Sequence, residues 1–232
     1  MIGRVQTALV VACLSLLVCL AGCNPAADGA PPEVARAMPL PSPIVSGGGS
    51  LAEALAERRS VRSFSDQTLT PSEIGQLLWA AQGVTSPQGY RTAPSAGALY
   101  PLEIYAVTAE GVYHYQPQGH LLAVHSGGDR RQALYEAALR QDPVREAPAI
   151  FVITTIYART AEKYGAERSP RYVHMEAGHA AQNLLLQTVA LGLGGVPIGA
   201  FHDERIQEAL GLPEDEEPLY LIPVGHPLEA NP

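Results

Sequence analysis

Three arginines and two serines fall within seven residues in the run Arg58-Arg59-Ser60-Val61-Arg62-Ser63-Phe64. A guanidinium grips phosphate oxygens through two parallel N–H bonds, and a serine adds a neutral donor, so the run suits a phosphate monoester. A solvated basic turn would read the same way. A second chemistry-bearing pair is Lys163-Tyr164. The chain has 14 arginines and one lysine, Lys163. Lysine offers what arginine lacks, a proton affinity that its surroundings can shift; a surface turn is the alternative reading. Two stretches of small residues complete the set, Ala93-Pro94-Ser95-Ala96-Gly97-Ala98-Leu99-Tyr100-Pro101 and GLGGVPIGAF over 192–201. Small side chains let a planar ligand lie against backbone N–H and C=O groups. A plain loop, or a helix C-cap followed by a turn, would account for them equally.

Other chemistries are excluded by their spacing. His174 and His179 are five residues apart, about 140° around a helix, whereas a zinc helix needs i, i+4. A deaminase reading of His174-Met175-Glu176 needs a P-C-x-x-C partner, which the chain does not contain. Gly192–Gly195 follows a helix instead of linking a strand to one, so it is no dinucleotide fingerprint. Neither a Walker sequence nor a G-x-S-x-G elbow is present. No metal site is expected.

All three cysteines, Cys13, Cys19 and Cys23, lie in the first 23 residues. The expected globular part therefore has no disulfide, thiolate nucleophile or cysteine-ligated metal. Arg4 precedes an apolar run from Ala8 to Leu20, too short to span about 30 Å of hydrocarbon comfortably. The run ends Leu20-Ala21-Gly22-Cys23, which resembles a bacterial lipobox with Cys23 as the acylated first residue of the mature chain. Export and a lipid anchor in the cell envelope are the expectation. The net charge of −8 argues against nucleic-acid binding. Hydrophobic content of 47% and charged content of 16% exclude a disordered chain.

Three segments follow: a signal peptide over 1–22, a tether over 23–49 with six prolines and a closing glycine run, and a folded domain over 50–232. Within the domain, Ser50-Leu51-Ala52-Glu53 and Thr70-Pro71-Ser72-Glu73 are capping boxes that open helices. Ile74, Leu77, Leu78 and Ala81 repeat at helical spacing. Strands are predicted at 102–108, 111–115, 121–124, 149–156 and 219–224, and further helices at 130–140, 170–191 and 203–210. This order gives an α+β domain with one sheet covered by helices.

Together the four segments resemble the nitroreductase-like FMN oxidoreductases, and within them the SagB-type dehydrogenase branch. RRSVRSF and GLGG-VPIG are shared across nitroreductase-like proteins. PSAGALYPLEIY and EKYG-x-x-R-x-x-RYVHMEAGHAAQNL are close to the SagB-type pattern. The resemblance runs from about Ala54 to Pro227. It implies a central mixed or antiparallel sheet flanked by helices, and a domain-exchanged homodimer with FMN at its interface. Arg58, Ser60 and Arg62 would then hold the FMN phosphate and ribityl chain, with Arg59 beside them. Pro94, Ser95, Ala96 and Gly97 would line the isoalloxazine ring, and Pro197, Ile198 and Gly199 would pack on it. The long helix would form the dimer core, with Gly178, Ala180 and Ala181 permitting close approach between copies or packing within one.

Lys163 and Tyr164 match the catalytic pair of the azoline-oxidising members, where a base removes a proton as the flavin takes a hydride. One departure stands out. Many relatives carry a basic residue shortly after the final G-[YH]-P, whereas here Gly225-His226-Pro227 is followed by LEANP. The expected activity is FMN-dependent oxidation or reduction of a small molecule, with an envelope electron carrier as partner. The alternatives are a flavin-binding electron-transfer protein and a degenerate, non-catalytic envelope lipoprotein.

Overall fold

Two helices begin where side chains satisfy the free N–H groups of a first turn. Ser50 Oγ accepts from Glu53 N–H at 3.1 Å while the Glu53 carboxylate accepts from Ser50 N–H at 2.8 Å, opening α1 (Leu51–Glu57). Thr70 and Glu73 repeat the arrangement at α2 (Pro71–Gln82), with Pro71 at the first helical position. The computed structural model describes residues 37–47 and 49–228. The predicted signal peptide, Cys23 and the first part of the tether lie outside them.

The remaining elements are β1 (Ala37–Pro39), β2 (Leu102–Val107), β3 (Gly111–Gln116), β4 (Leu121–Gly127), α3 (Arg131–Ala137), α4 (Asp142–Glu146), β5 (Ala149–Thr155), α5 (Tyr157–Tyr164), α6 (Ser169–Ala190), β6 (Gly194–Gly195), α7 (Asp203–Leu210) and β7 (Glu217–Gly225). Among the described residues the strands form one sheet in the order β1-β4-β3-β2-β5-β7-β6. Every strand pair is antiparallel. β5 is central and buried on both faces, which is why it reads as an unbroken apolar run. Leu102, Ile104 and Ala106 face α2 and α6, while Tyr105 and Val107 on the same strand face α3 and α7.

Several elements depart from the sequence reading. The helix predicted over 130–140 stops at Ala137, whose carbonyl accepts from His202 N–H, and Leu139 and Arg140 turn to φ +55. α4 and α5 are not foreseen, being short and without a long apolar repeat. Part of the predicted tether is docked on the domain. Ala37–Pro39 pair with β4, and the buried Gln76 amide exchanges hydrogen bonds with Ile44 N–H (2.8 Å) and C=O (3.1 Å). A Pro-rich composition hides this because the bonds are made by backbone. Ala180 and Ala181, read as candidates for a contact between copies, are buried within the chain's own core against α2 and the sheet.

Candidate active site

Ser95–Tyr100 leads into β2 through a turn of unusual backbone. Gly97, Ala98 and Tyr100 lie at φ +65, +56 and +48. The left-handed region costs a residue with a Cβ about 1–2 kcal/mol, so surrounding contacts must hold the turn. Ser95 Oγ accepts from Tyr100 N–H at 2.9 Å, and Ala98 N–H donates to Ser95 C=O at 3.0 Å. The Arg91 guanidinium lies 4.4 Å from the Tyr100 ring centroid, and Arg159 donates to Tyr100 C=O at 3.3 Å.

Arg159 belongs to α5, and Lys163 follows it one helical turn later on the same face. Its guanidinium pairs with Glu103 on β2 at 2.5 Å, and Glu103 also accepts from His114 at 2.7 Å. Burial alone would raise the Glu103 carboxyl. The His114 hydrogen bond and the Arg159 charge outweigh it and hold the group below the usual carboxylate range. α5 is thereby fixed to β2, the middle strand of the sheet, and to the turn. A Cβ built on Gly97 would stand 2.9 Å from Lys163 Nζ and 3.1 Å from Tyr164 OH. The predicted pair and the predicted small-residue loop therefore meet. Lys163 is exposed in the single chain and Tyr164 half-buried, with its ring 4.7 Å from that of Tyr172. Any desolvation of the Lys163 ammonium must come from a bound molecule or a second copy.

The arginine segment lies elsewhere. Ser60 pairs with Gly195, and Val61 N–H donates to Gly195 C=O at 3.1 Å. Gly194 is required there, because a Cβ would come within 2.6 Å of Val61 Cβ. Arg59 donates to Ala56 C=O (2.9 Å) and Arg58 C=O (2.8 Å), closing the end of α1, and Arg62 donates to Ser60 C=O (3.3 Å). Among the described residues none of the three guanidiniums has a carboxylate partner. Through Gly195 and Val224 this segment reaches the Ala149 end of β5, whereas the Ser95–Tyr100 turn meets the Thr155 end. Seven strand residues separate the two by about 20 Å.

Ile198 is buried between β7 and the α3–α7 layer, with its N–H and C=O both bonded to Leu221, and it lies between exposed Pro197 and Gly199. The Ser95 hydroxyl points inward to Tyr100 and Glu176 instead of lining a surface. Glu176, Arg159 and Glu103 were missed by motif reading. Glu176 had a visible signal: it interrupts the apolar face Val173, Ala177, Ala180 and Leu184 of α6 with a charge. A cavity of about 710 Å³ lies under β1 between Leu40, Leu69, Ile74, Tyr113 and Leu122, and none of the candidate cofactor or catalytic residues lines it.

Residues 55–226 match the model of the nitroreductase family. The chain belongs to that family. It is 44% identical over 185 residues to a Methanocaldococcus jannaschii protein described as a nitroreductase, covering 77% of this chain and 92% of the relative. It is 42% identical over 188 residues to the NADPH-flavin oxidoreductase of Vibrio harveyi, covering 78% of this chain and 66% of that one. A crystal structure from Ralstonia eutropha, also described as a nitroreductase, superposes with a TM-score of 0.77 at 31% identity, over 84% of this chain and 90% of the other. The Escherichia coli microcin synthetase McbBCD complex with truncated pro-MccB17 bound gives a TM-score of 0.65 at 25% identity, over 81% and 76% of the two chains. FMN is the cofactor of this family of oxidoreductases. The residues present fit such a group: a bare Gly97 surface faced by an ammonium and a phenol, and arginines without carboxylate partners.

Proposed function

We propose that this chain is an FMN-dependent oxidoreductase of the SagB-type dehydrogenase branch, acting on a small organic molecule as a homodimer. The observation that carries the reading is the convergence of Lys163 Nζ and Tyr164 OH on the bare backbone of Gly97. The likeness to the microcin synthetase complex supports the branch. Bound FMN supplies the place where a hydride is accepted or given. The chain supplies the rest. Arg58, Ser60 and Arg62 bind the phosphate, and Pro94, Ala96 and Gly97 offer a wall of small residues with Lys163 and Tyr164 standing over Gly97. Lys163 and Tyr164 hold or move a proton at Nζ and at the phenol oxygen, so that a substrate losing hydride also loses its proton.

Because the arginine segment and the Gly97 wall stand at opposite ends of β5, each complete site takes one half from each of two copies. An apolar surface supports such pairing. Ile44, Val45, Leu51 and Leu55 are all more than half exposed, and a groove of about 440 Å³ runs between Ile44, Leu51, α2 and α6. From α6 the groove is lined by Asn183, Leu186, Gln187 and Ala190.

The resemblance of Leu20-Ala21-Gly22-Cys23 to a lipobox supports a place in the cell envelope, with Cys23 as the anchor. Nicotinamide cofactors are scarce there, so oxygen, a quinone or another envelope carrier would take the electrons. The test is the visible spectrum of the purified protein before and after gel filtration with added FMN. A retained flavin band supports the reading, and fast bleaching by an oxidisable substrate but not by NADPH supports the dehydrogenase direction. A colourless protein that ignores FMN would sink it in favour of a non-catalytic lipoprotein.

A further inference from the structure

Behind the strained turn lies a buried polar chain that the proposed chemistry does not use. Glu176 on α6 is 2% exposed. Its carboxylate accepts from Gln82 Nε2 at 3.3 Å, and the Ser95 hydroxyl lies on the same side of it. That hydroxyl in turn accepts Tyr100 N–H. Gln82, fully buried on α2, accepts from Arg91 Nη1 at 3.1 Å, and Arg91 covers the Tyr100 ring. One carboxylate thus reaches both ends of the turn, directly at Ser95 and by two routes at Tyr100. A charge buried at an apolar helix position is costly, and such groups persist where they fix one conformation among several. Here the conformation at stake contains left-handed Gly97, Ala98 and Tyr100.

We propose that Glu176 is a positioning residue: through Ser95 and the Gln82–Arg91 pair it holds the Ser95–Tyr100 turn in the strained form that presents Gly97 to Lys163 and Tyr164. Its bearing on cofactor binding rests on the reading of that turn as the flavin's wall; its bearing on the turn does not. Gln82 from α2, and Ser95 and Arg91 from the intervening loop, face the carboxyl, and Arg91 is the charged one. Burial pushes the carboxyl up to about 7 against those three. Its protonation removes an acceptor and loosens the turn.

The experiment is hydrogen exchange resolved to the 95–102 peptide across pH 5–9, with FMN titration, on the full chain. Wild type, Glu176→Gln, Ser95→Ala and the double variant are compared. Glu176→Gln is expected to exchange about tenfold faster in 95–102 with β5 unchanged, and to lose the pH dependence that wild type shows there. The FMN dissociation constant rises about tenfold, and the losses in the double variant are less than additive, since part of the hold of Glu176 on the turn runs through Ser95. Unchanged exchange in the turn, an equal rise across all peptides, or additive losses in the double variant would overturn the proposal. If Glu176→Gln fails to fold, Glu176→Asp, which draws the carboxylate back from Gln82 and Ser95, carries the same test. A turn loosened as expected in a wild-type protein that never binds FMN would keep the anchoring role and reject the flavin reading alone.

Discussion

Lys163 Nζ occupies the space that a side chain on residue 97 would need, 2.9 Å from the Cβ position of Gly97. Gly97→Ala therefore does two things. It strains a φ of +65 by about 1 kcal/mol, and it displaces the ammonium and the Tyr164 phenol together. Turnover is expected to fall at least about tenfold while thermal stability drops only slightly; turnover equal to wild type would show that the pair's placement on Gly97 is incidental.

Lys163→Ala and Tyr164→Phe should leave the fold intact, because Lys163 is exposed and Tyr164 loses only its hydroxyl. Flavin absorbance is expected to stay, while substrate-dependent flavin bleaching slows by roughly 10²–10⁴-fold if the pair carries the proton. Stopped-flow bleaching under anaerobic conditions measures it. Undiminished rates in both variants would leave a flavin carrier as the better reading.

Arginines 58, 59 and 62 are expected to separate by role. Arg59→Ala removes donors to Ala56 and Arg58 carbonyls and should shorten α1, costing about 1 kcal/mol in denaturant unfolding. Arg58→Ala and Arg62→Ala should leave stability unchanged and weaken FMN binding about tenfold, more so at low salt. Equal effects of all three on FMN would mean that the cluster acts as general positive charge only.

The Glu176 carboxyl is raised from 4.5 to about 7, so the native state binds a proton that the unfolded chain has released across that interval. Stability from this group is thus present below pH 4.5 and lost as pH climbs towards 7, on the order of 3 kcal/mol in all. Wild type should lose stability relative to Glu176→Gln between pH 5 and 8 in urea titrations. Parallel curves for the two proteins would contradict the raised proton affinity.

Sequence alone determined much of this protein, wherever the relevant physics is local. The capping boxes at Ser50 and Thr70 depend on groups three residues apart, and β5 announces its central place by being apolar on both faces. Lys163-Tyr164 and the Pro94–Gly97 run were legible as residue types. Their meeting was not, because it depends on α5, a short helix held to the middle strand β2 by the Arg159–Glu103 pair. Glu176 could be seen as a charge on an apolar helix face, but its partners Gln82 and Ser95 come from segments more than eighty residues away. The arginine run and the Gly97 wall looked like parts of one site. Strand register sets them about 20 Å apart, since pairing partners along β5 and β7 follow from the whole packed sheet and from no short stretch of chain.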